Sequence, residues 1–175
     1  MNHQKTIDQL VHNRAVFSAL LNGVDRETYL YRPHPQHWCL LEIIAHLRDE
    51  EAEDFKVRMR MALENSTAPL PSFDPLAWVS ERRYMELNYE TVLQQFLAER
   101  QNSIEWLHSL PLADNTANAH WQNFITHPRY GAQTAQFFLA NWLAHDYLHI
   151  RQINRIKYHY LQKDSNQLLA YAGNW

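Results

Sequence analysis

Two segments of the chain carry histidines of the type and spacing that can hold a transition metal. His145 and His149 lie four residues apart in a strongly helical segment, so both imidazoles project from one helix face, one turn apart. Such pairs are a common way to bind zinc and related metals. His46 lies in a second amphipathic segment and could supply a third ligand. Three neutral ligands with open positions would describe a catalytic site. Without further support, satisfied core histidines remain the competing interpretation.

An acidic run follows His46 and offers candidates for proton transfer. Glu50 lies one turn after His46 on the same helix face. It could be a fourth metal ligand, a general base, or a group that orients a ligand. The alternative is a solvated charge within the acidic run 49–54, which spans more than one turn. For Asp49 and Glu51 we expect the solvated position, and for Glu50 both interpretations stay open.

Polar residues also flank the histidine pair. Asp146 directly follows His145 and therefore points about 100° away, so we expect it to orient a loop or a neighbouring helix and not to bind the metal. Gln152 comes three residues after His149. It could lie beside the site or make a helix–helix hydrogen bond.

A polar loop precedes the histidine pair and is a candidate for substrate binding. It contains His127, Arg129 and Tyr130, which could line the mouth of a pocket for an anionic or thiol-bearing molecule. A structured turn is the alternative. Cys39 occupies the N-cap position of the helix that carries His46, with Glu42 three residues later, as in a capping box. We expect this thiol to be structural and not a nucleophile.

Hydrophobic periodicity predicts an all-α protein. The main helices are expected at about residues 4–22, 40–65, 89–110 and 134–162. Residues 66–76 read as a loop, 76–86 as a short helix, and 111–133 as irregular polar chain. Long connections between helices two and three, and between three and four, favour a four-helix bundle of non-minimal topology. We expect one domain over residues 1–175.

Composition excludes several functional classes. The 175 residues are 46% hydrophobic, with 3 Gly, which favours a globular helical protein. The net charge is -3, with no strong basic cluster, so we expect no nucleic-acid partner. No apolar run approaches ~18 residues, so we expect no membrane span. One cysteine and no apolar signal segment at the start favour a cytoplasmic location.

Several blocks of residues together carry a family resemblance. They are 38–50 with His46, 73–75 with Trp78, Arg100, 127–131 with Thr134, and 145–153. The block 145–153 is the most specific, and the order and distance of 127–131 before it add weight. On these residues the chain resembles the DinB-like (DinB/YfiT) superfamily of small four-helix metal-binding proteins, over about residues 5–160.

The resemblance implies an up-down-down-up bundle with a divalent metal, usually zinc or nickel, on three histidines. One histidine comes from the second helix and two from the last, which by position are His46, His145 and His149. Cys39 departs from the usual Ser or Thr and puts the strength of the helix cap in doubt. Relatives of known activity use a low-molecular-weight thiol, as thiol S-transferases and a mycothiol-dependent isomerase do.

We therefore interpret the chain as a metal-dependent transferase or hydrolase. A divalent ion on the three histidines would activate a small thiol or water for reaction with a small-molecule substrate. The alternative is a non-catalytic bundle that the ion staples together and that acts as a binding or stress-response module. We also expect a homodimer, because small bundles often pair through exposed apolar helix faces.

Overall fold

A computed structural model describes residues 1–70, 72, 74–111, 120–127 and 130–173. The helices are α1 His3–Leu21, α2 Arg26–Leu30, α3 Leu40–Glu53, α4 Phe55–Leu63, α5 Trp78–Glu81, α6 Tyr89–His108 and α7 Ala135–Ser165. Short 3₁₀ helices cover Tyr84–Glu86 and Ala170–Ala172, and two strands are β1 Phe124–His127 and β2 Gly131–Thr134. Within these described ranges, no helix is long and apolar enough to cross a bilayer.

Four long helical segments form the predicted four-helix bundle. They are α1, the pair α3–α4, α6 and α7. Helix α1 packs against α6 and α7, and the pair α3–α4 packs against the same two helices. The first and second long segments therefore occupy opposite corners of the bundle. This arrangement needs a connection that crosses the end of the bundle, and residues 22–39 supply it.

The second long helix is interrupted at Asp54, where the sequence predicted one helix over 40–65. Asp54 has φ −112° and ψ −88°, well away from the α-helical values near −63° and −42°. The two halves have different neighbours, because α3 packs mainly against α6 whereas α4 packs against α7. The prediction of one continuous helix was wrong, and the break redirects the second half toward the helix that carries His145 and His149.

A β-hairpin occupies part of the region that the sequence predicted to be irregular. Strands β1 and β2 are antiparallel, with Phe124 opposite Thr134 and His127 opposite Gly131. Gly131 has φ +72°, a conformation that residues with a Cβ rarely adopt. The Ala135 N–H donates to the Asn123 carbonyl at 2.9 Å. This bond ties the hairpin to the first residue of α7, near the candidate site.

Two apolar clusters fill the two ends of the bundle. One contains Phe17, Leu21, Leu47, Phe96, Leu97 and Ile153, among others. The other contains Ile7, Leu10, Met59, Leu107, Phe138 and Trp142, among others. On the long helical segments the buried members of these two sets are separated by about two to three turns, as Leu10 is from Phe17 on α1. Buried polar residues occupy that interval, so the core is apolar at both ends of the bundle and polar in the middle.

Four buried residues, one from each long helical segment, form a layer in the middle of the bundle. They are Asn13, Glu51, Arg100 and Asp146, and we call them the charged layer. Arg100 Nη1 and Nη2 donate to the two Asp146 carboxylate oxygens, each at 2.7 Å. Arg100 Nε lies 2.9 Å from Glu51 Oε1. Asn13 Nδ2 donates to Asp146 Oδ2 at 3.0 Å. The expectation that Glu51 faces solvent was therefore wrong, whereas Asp146 does contact neighbouring helices.

The first turn of α6 offers a test of local helix stabilisation. The exposed N-cap residue Asn88 accepts a hydrogen bond from the Thr91 N–H at 2.9 Å. We expect Asn88→Ala to lower the free energy of unfolding by about 1 kcal/mol, because a backbone donor loses its partner. Urea denaturation measures this change, with Asn88→Asp as the control that keeps an acceptor. Equal stability of the alanine variant and the wild type would contradict the capping role.

Candidate metal centre

Three imidazole nitrogens converge between α3 and α7. His46 Nε2 lies 3.3 Å from His145 Nε2, and His149 Nε2 lies 3.0 Å from the same atom. The ligand atoms of these three residues all lie within 4.8 Å of one another. Two nitrogens on one tetrahedral zinc, each bound at ~2.0–2.1 Å, lie about 3.3 Å apart. The structure thus brings together the three histidines that the sequence singled out, at separations that suit a shared ion.

The chemistry of the donor set also fits a cation. His149 Nδ1 lies 2.9 Å from Gln152 Oε1. An amide oxygen only accepts, so Nδ1 carries the proton and His149 Nε2 presents a lone pair toward His145. Metal-binding histidines are typically oriented by such a bond from the second ring nitrogen. Gln152 therefore lies beside the site, as one of the two sequence interpretations expected.

Burial keeps the three imidazoles neutral at physiological pH. It lowers the pKa of His46 to about 3, of His145 to about 2 and of His149 to about 4. The neighbouring His149 lowers the pKa of His46 and of His145 further. A metal binds only the unprotonated ring nitrogen. The cluster is therefore neutral, which is the charge state that metal binding requires.

Aromatic side chains pack around the histidines. The Trp38 ring lies 4.9 Å from the His46 ring, centroid to centroid. The Phe55 ring lies 5.1 Å from the His145 ring in the same measure. Phe55 is the first residue of α4, so the break at Asp54 places it against the site. These contacts restrict the rotation of both imidazoles.

Glu50 lies beside the histidine cluster and not in solvent. Its carboxylate Oε1 is 3.9 Å from His46 Nε2, and the residue is buried. Burial, and next the carboxylate of Asp54, raises the pKa of Glu50 to about 8. Asp54 in turn forms an ion pair with Arg58. Glu50 can therefore hold or release a proton near neutral pH, next to a candidate ligand.

Asp49 is buried, so the expectation of a solvated charge was wrong for this residue too. It accepts a hydrogen bond from the Tyr84 hydroxyl at 2.8 Å and pairs with Arg82 at 2.8 Å. Both partners come from the segment between α4 and α6. Cys39 is also buried, and burial raises the pKa of its thiol to about 11. A thiol that stays protonated at neutral pH supports the structural role expected for Cys39.

A cleft of about 910 Å³ opens onto the histidine cluster, and His145 lies in its wall. Helix α4 contributes Phe55 and Arg58, and the hairpin region contributes His127 and Tyr130. The structure thus brings two of the three predicted loop residues to the cleft. The third, Arg129, lies outside the described residues.

Sequence reasoning missed several residues that line the cleft. They include Asp54, Arg58, Gln133 and Asn141. Asn141 had a usable signal, because it lies four residues before His145 and so shares its helix face. Arg58 and Asp54 had none, since the turn at Asp54 decides which way they project. The cleft wall is therefore mixed, with ion-paired, amide and aromatic groups.

Comparisons with known proteins bear on the fold and the family of this chain. The structure of YfiT from Bacillus subtilis, described as a probable metal-dependent hydrolase with an unusual four-helix bundle topology, superposes with a TM-score of 0.76 at 15% identity. The match covers 95% of this chain and 89% of that chain, and at this identity it shows the fold. No curated protein matches the sequence. The family model of the DinB superfamily matches residues 9–153. The chain therefore belongs to the DinB superfamily.

Proposed function

We propose that this protein is a metal-dependent hydrolase that acts on a small molecule bound in the cleft. The observation that carries the proposal is the double position of His145, which belongs both to the histidine cluster and to the cleft wall. An ion held by the cluster would be within reach of a molecule in the cleft. A purely structural ion would instead be enclosed by its ligands. YfiT, which shares the fold, is described as a probable hydrolase of this kind.

His46, His145 and His149 would hold a divalent ion, with zinc and nickel as the leading candidates. When bound, such an ion supplies Lewis acidity that polarises the substrate and makes water more acidic. Glu50 is the proposed general base, because it is buried beside His46 and has a pKa near neutral. A base of this pKa takes up a proton from the attacking water and returns it to the leaving group.

Asp54 and Arg58 link this base to the cleft. Asp54 interacts with Glu50 on one side and is paired with Arg58 on the other. Asp54 and Arg58 both line the cleft. We propose that the proton taken up by Glu50 reaches the cleft by way of Asp54. His127, Tyr130 and Asn141 would bind the substrate from the hairpin and α7. The same role remains a prediction for Arg129.

Thiol transfer is the second candidate. Glu50 is a buried carboxylate 3.9 Å from His46, and a carboxylate in this position could accept a proton from a small thiol as well as from water. The same three histidines and the same base would then serve an S-transferase, and only the nucleophile would differ. Substrate screens with and without a low-molecular-weight thiol distinguish the two reactions.

Replacing the proposed base tests either reaction. We expect Glu50→Gln to lower kcat by about 10²–10⁴-fold, because amide nitrogen and oxygen cannot take up the proton. The base works unprotonated, so wild-type activity should rise as the pH rises through the pKa of Glu50, and the variant should lose this dependence. The bound ion lowers that pKa, because a nearby positive charge favours the carboxylate. Steady-state kinetics across pH measure both effects.

The matched control is Glu53→Gln. Glu53 is an exposed carboxylate of the same acidic run, paired with Arg82 at 2.7 Å, and its loss should leave kcat unchanged. Metal content should stay the same in both variants. Wild-type kcat in Glu50→Gln, at equal metal content, would rule out Glu50 as the base.

A further inference from the structure

The charged layer and the histidine cluster use the same two helices. Asp146 is the residue after His145 on α7, and Glu51 follows Glu50 on α3, the helix of His46. Arg100, on α6, contacts both of these carboxylates. We propose that Arg100 is a positioning residue for the three-histidine site, which sets the separation between His46 and the His145–His149 pair. This inference rests on the proposed function, in which the three histidines bind a metal.

Direct packing does little to fix that separation. Helix α3 packs far more extensively against α6 than against α7. It is α4, beyond the break at Asp54, that packs extensively against α7. Yet His46 Nε2 on α3 lies 3.3 Å from His145 Nε2 on α7 across this sparsely packed interval. Arg100 contacts both helices at the level of the histidines, and it adds to the direct bond from Trp142 on α7 to Glu51 on α3.

The guanidinium group fixes the orientation of Asp146 through two hydrogen bonds and forms an ion pair with Glu51. Its two terminal nitrogens contact Asp146 and its Nε contacts Glu51, all at 2.7–2.9 Å. Asn13 donates to Asp146 Oδ2, and the Trp142 Nε1–H donates to Glu51 Oε2 at 3.0 Å. Each carboxylate is thus held from two directions. A lysine carries the same charge but lacks the planar fork that binds Asp146 with two nitrogens and reaches Glu51 with a third.

The layer also has a formal charge that suits the site. It combines one guanidinium with two carboxylates, and the adjacent imidazoles are neutral. A divalent cation at the cluster therefore meets a net attraction from the layer. Exchanging arginine for lysine preserves this charge balance and alters the geometry alone. A change in metal binding in such a variant would then report on position.

The test compares Co²⁺ binding by the full-length wild type and by Arg100→Lys. We expect the variant to bind with a Kd about 10–100-fold weaker, as is typical when the groups that orient metal ligands are lost. The Co²⁺ absorption spectrum should change in position and intensity, because it reports the coordination geometry. Arg32→Lys is the matched control, since Arg32 pairs with Glu42 at 2.7 Å near the start of α3. It should keep the wild-type Kd and spectrum even where the unfolding midpoint falls.

The outcomes separate this inference from the proposed function. Absence of Co²⁺ binding by the wild type would overturn both. Wild-type Kd and spectrum in a folded Arg100→Lys would overturn the positioning role alone. If Arg100→Lys does not fold, Glu51→Gln decides, because it weakens the Arg100 contact with α3 while a side-chain oxygen stays available to Trp142. A several-fold weaker Kd with an altered spectrum is then expected, and unchanged binding would overturn the proposal.

Discussion

Replacing His145 and His149 together by alanine should reduce the bound divalent ion from about one per chain to none. The change removes two of three converging nitrogens, and one imidazole does not hold a transition metal against bulk water. Metal content, measured by elemental analysis on protein purified without an affinity tag and dialysed against zinc or nickel, reports the result. The alanines shorten two side chains next to the cleft, so circular dichroism should accompany the measurement to show that the helices persist.

The matched control removes two histidines elsewhere. His34 and His37 lie on the surface with ring centroids 5.5 Å apart, and their replacement by alanine should leave the stoichiometric ion in place. This pair tests whether surface imidazoles account for the metal. Equal metal content in the His145/His149 variant and the wild type, or no stoichiometric ion in the wild type, would contradict the assignment of the site.

Removal of the ion by a chelator distinguishes a catalytic ion from a structural ion that holds the helices together. Structural zinc in small domains contributes about 10–16 kcal/mol to folding. Here two apolar clusters already hold the helices together. We therefore expect chelation to lower the unfolding midpoint modestly and to abolish activity. Global unfolding on chelation would instead support the non-catalytic alternative.

Arg100→Met should destabilise the protein by about 3–5 kcal/mol. Arg100 is almost fully buried and pairs with Glu51 and Asp146. Methionine has a similar stem but no charge, so two carboxylates would stay in the core without their counter-ion. Breaking a buried ion pair from one side typically has this cost. Urea denaturation of the metal-free protein measures the free energy of unfolding.

A second substitution in the same background checks the cause. Asp146→Asn added to Arg100→Met should recover part of the lost stability, because it removes one of the uncompensated charges. Arg32→Lys serves again as a comparison, since a partly exposed ion pair contributes little. A loss below about 1 kcal/mol in Arg100→Met would contradict the buried-pair argument.

The parts of the fold that sequence could predict are those with strong local signals. Helix α6 was expected at 89–110 and runs Tyr89–His108; α7 was expected at 134–162 and runs Ala135–Ser165. The residue before each helix, Asn88 for α6 and Thr134 for α7, caps it with its side chain. A regular apolar stripe and a cap are properties of neighbouring residues, so they can be read without the rest of the molecule. The spacing of His145 and His149 is local in the same sense.

The features that sequence reasoning missed depend on distant partners. No proline or glycine marks the break at Asp54, and its purpose is visible only from the different neighbours of α3 and α4. Strands β1 and β2 have four residues each, too few for an alternating pattern to stand out. Glu51 was misplaced because its partner Arg100 comes from another helix. His46 depended on the family resemblance for the same reason.

The charged layer also bears on the order in which the molecule can assemble. Each of the four long helical segments contributes one member, and Asn13 and Asp146 are separated by 133 positions in the chain. An intermediate that lacks any one segment leaves a polar or charged group buried without a partner, which is costly. Partial bundles are therefore unfavourable, and folding should be all-or-none. The three histidines then converge only in the finished molecule, so an incomplete chain offers a metal ion fewer ligands than the folded site does.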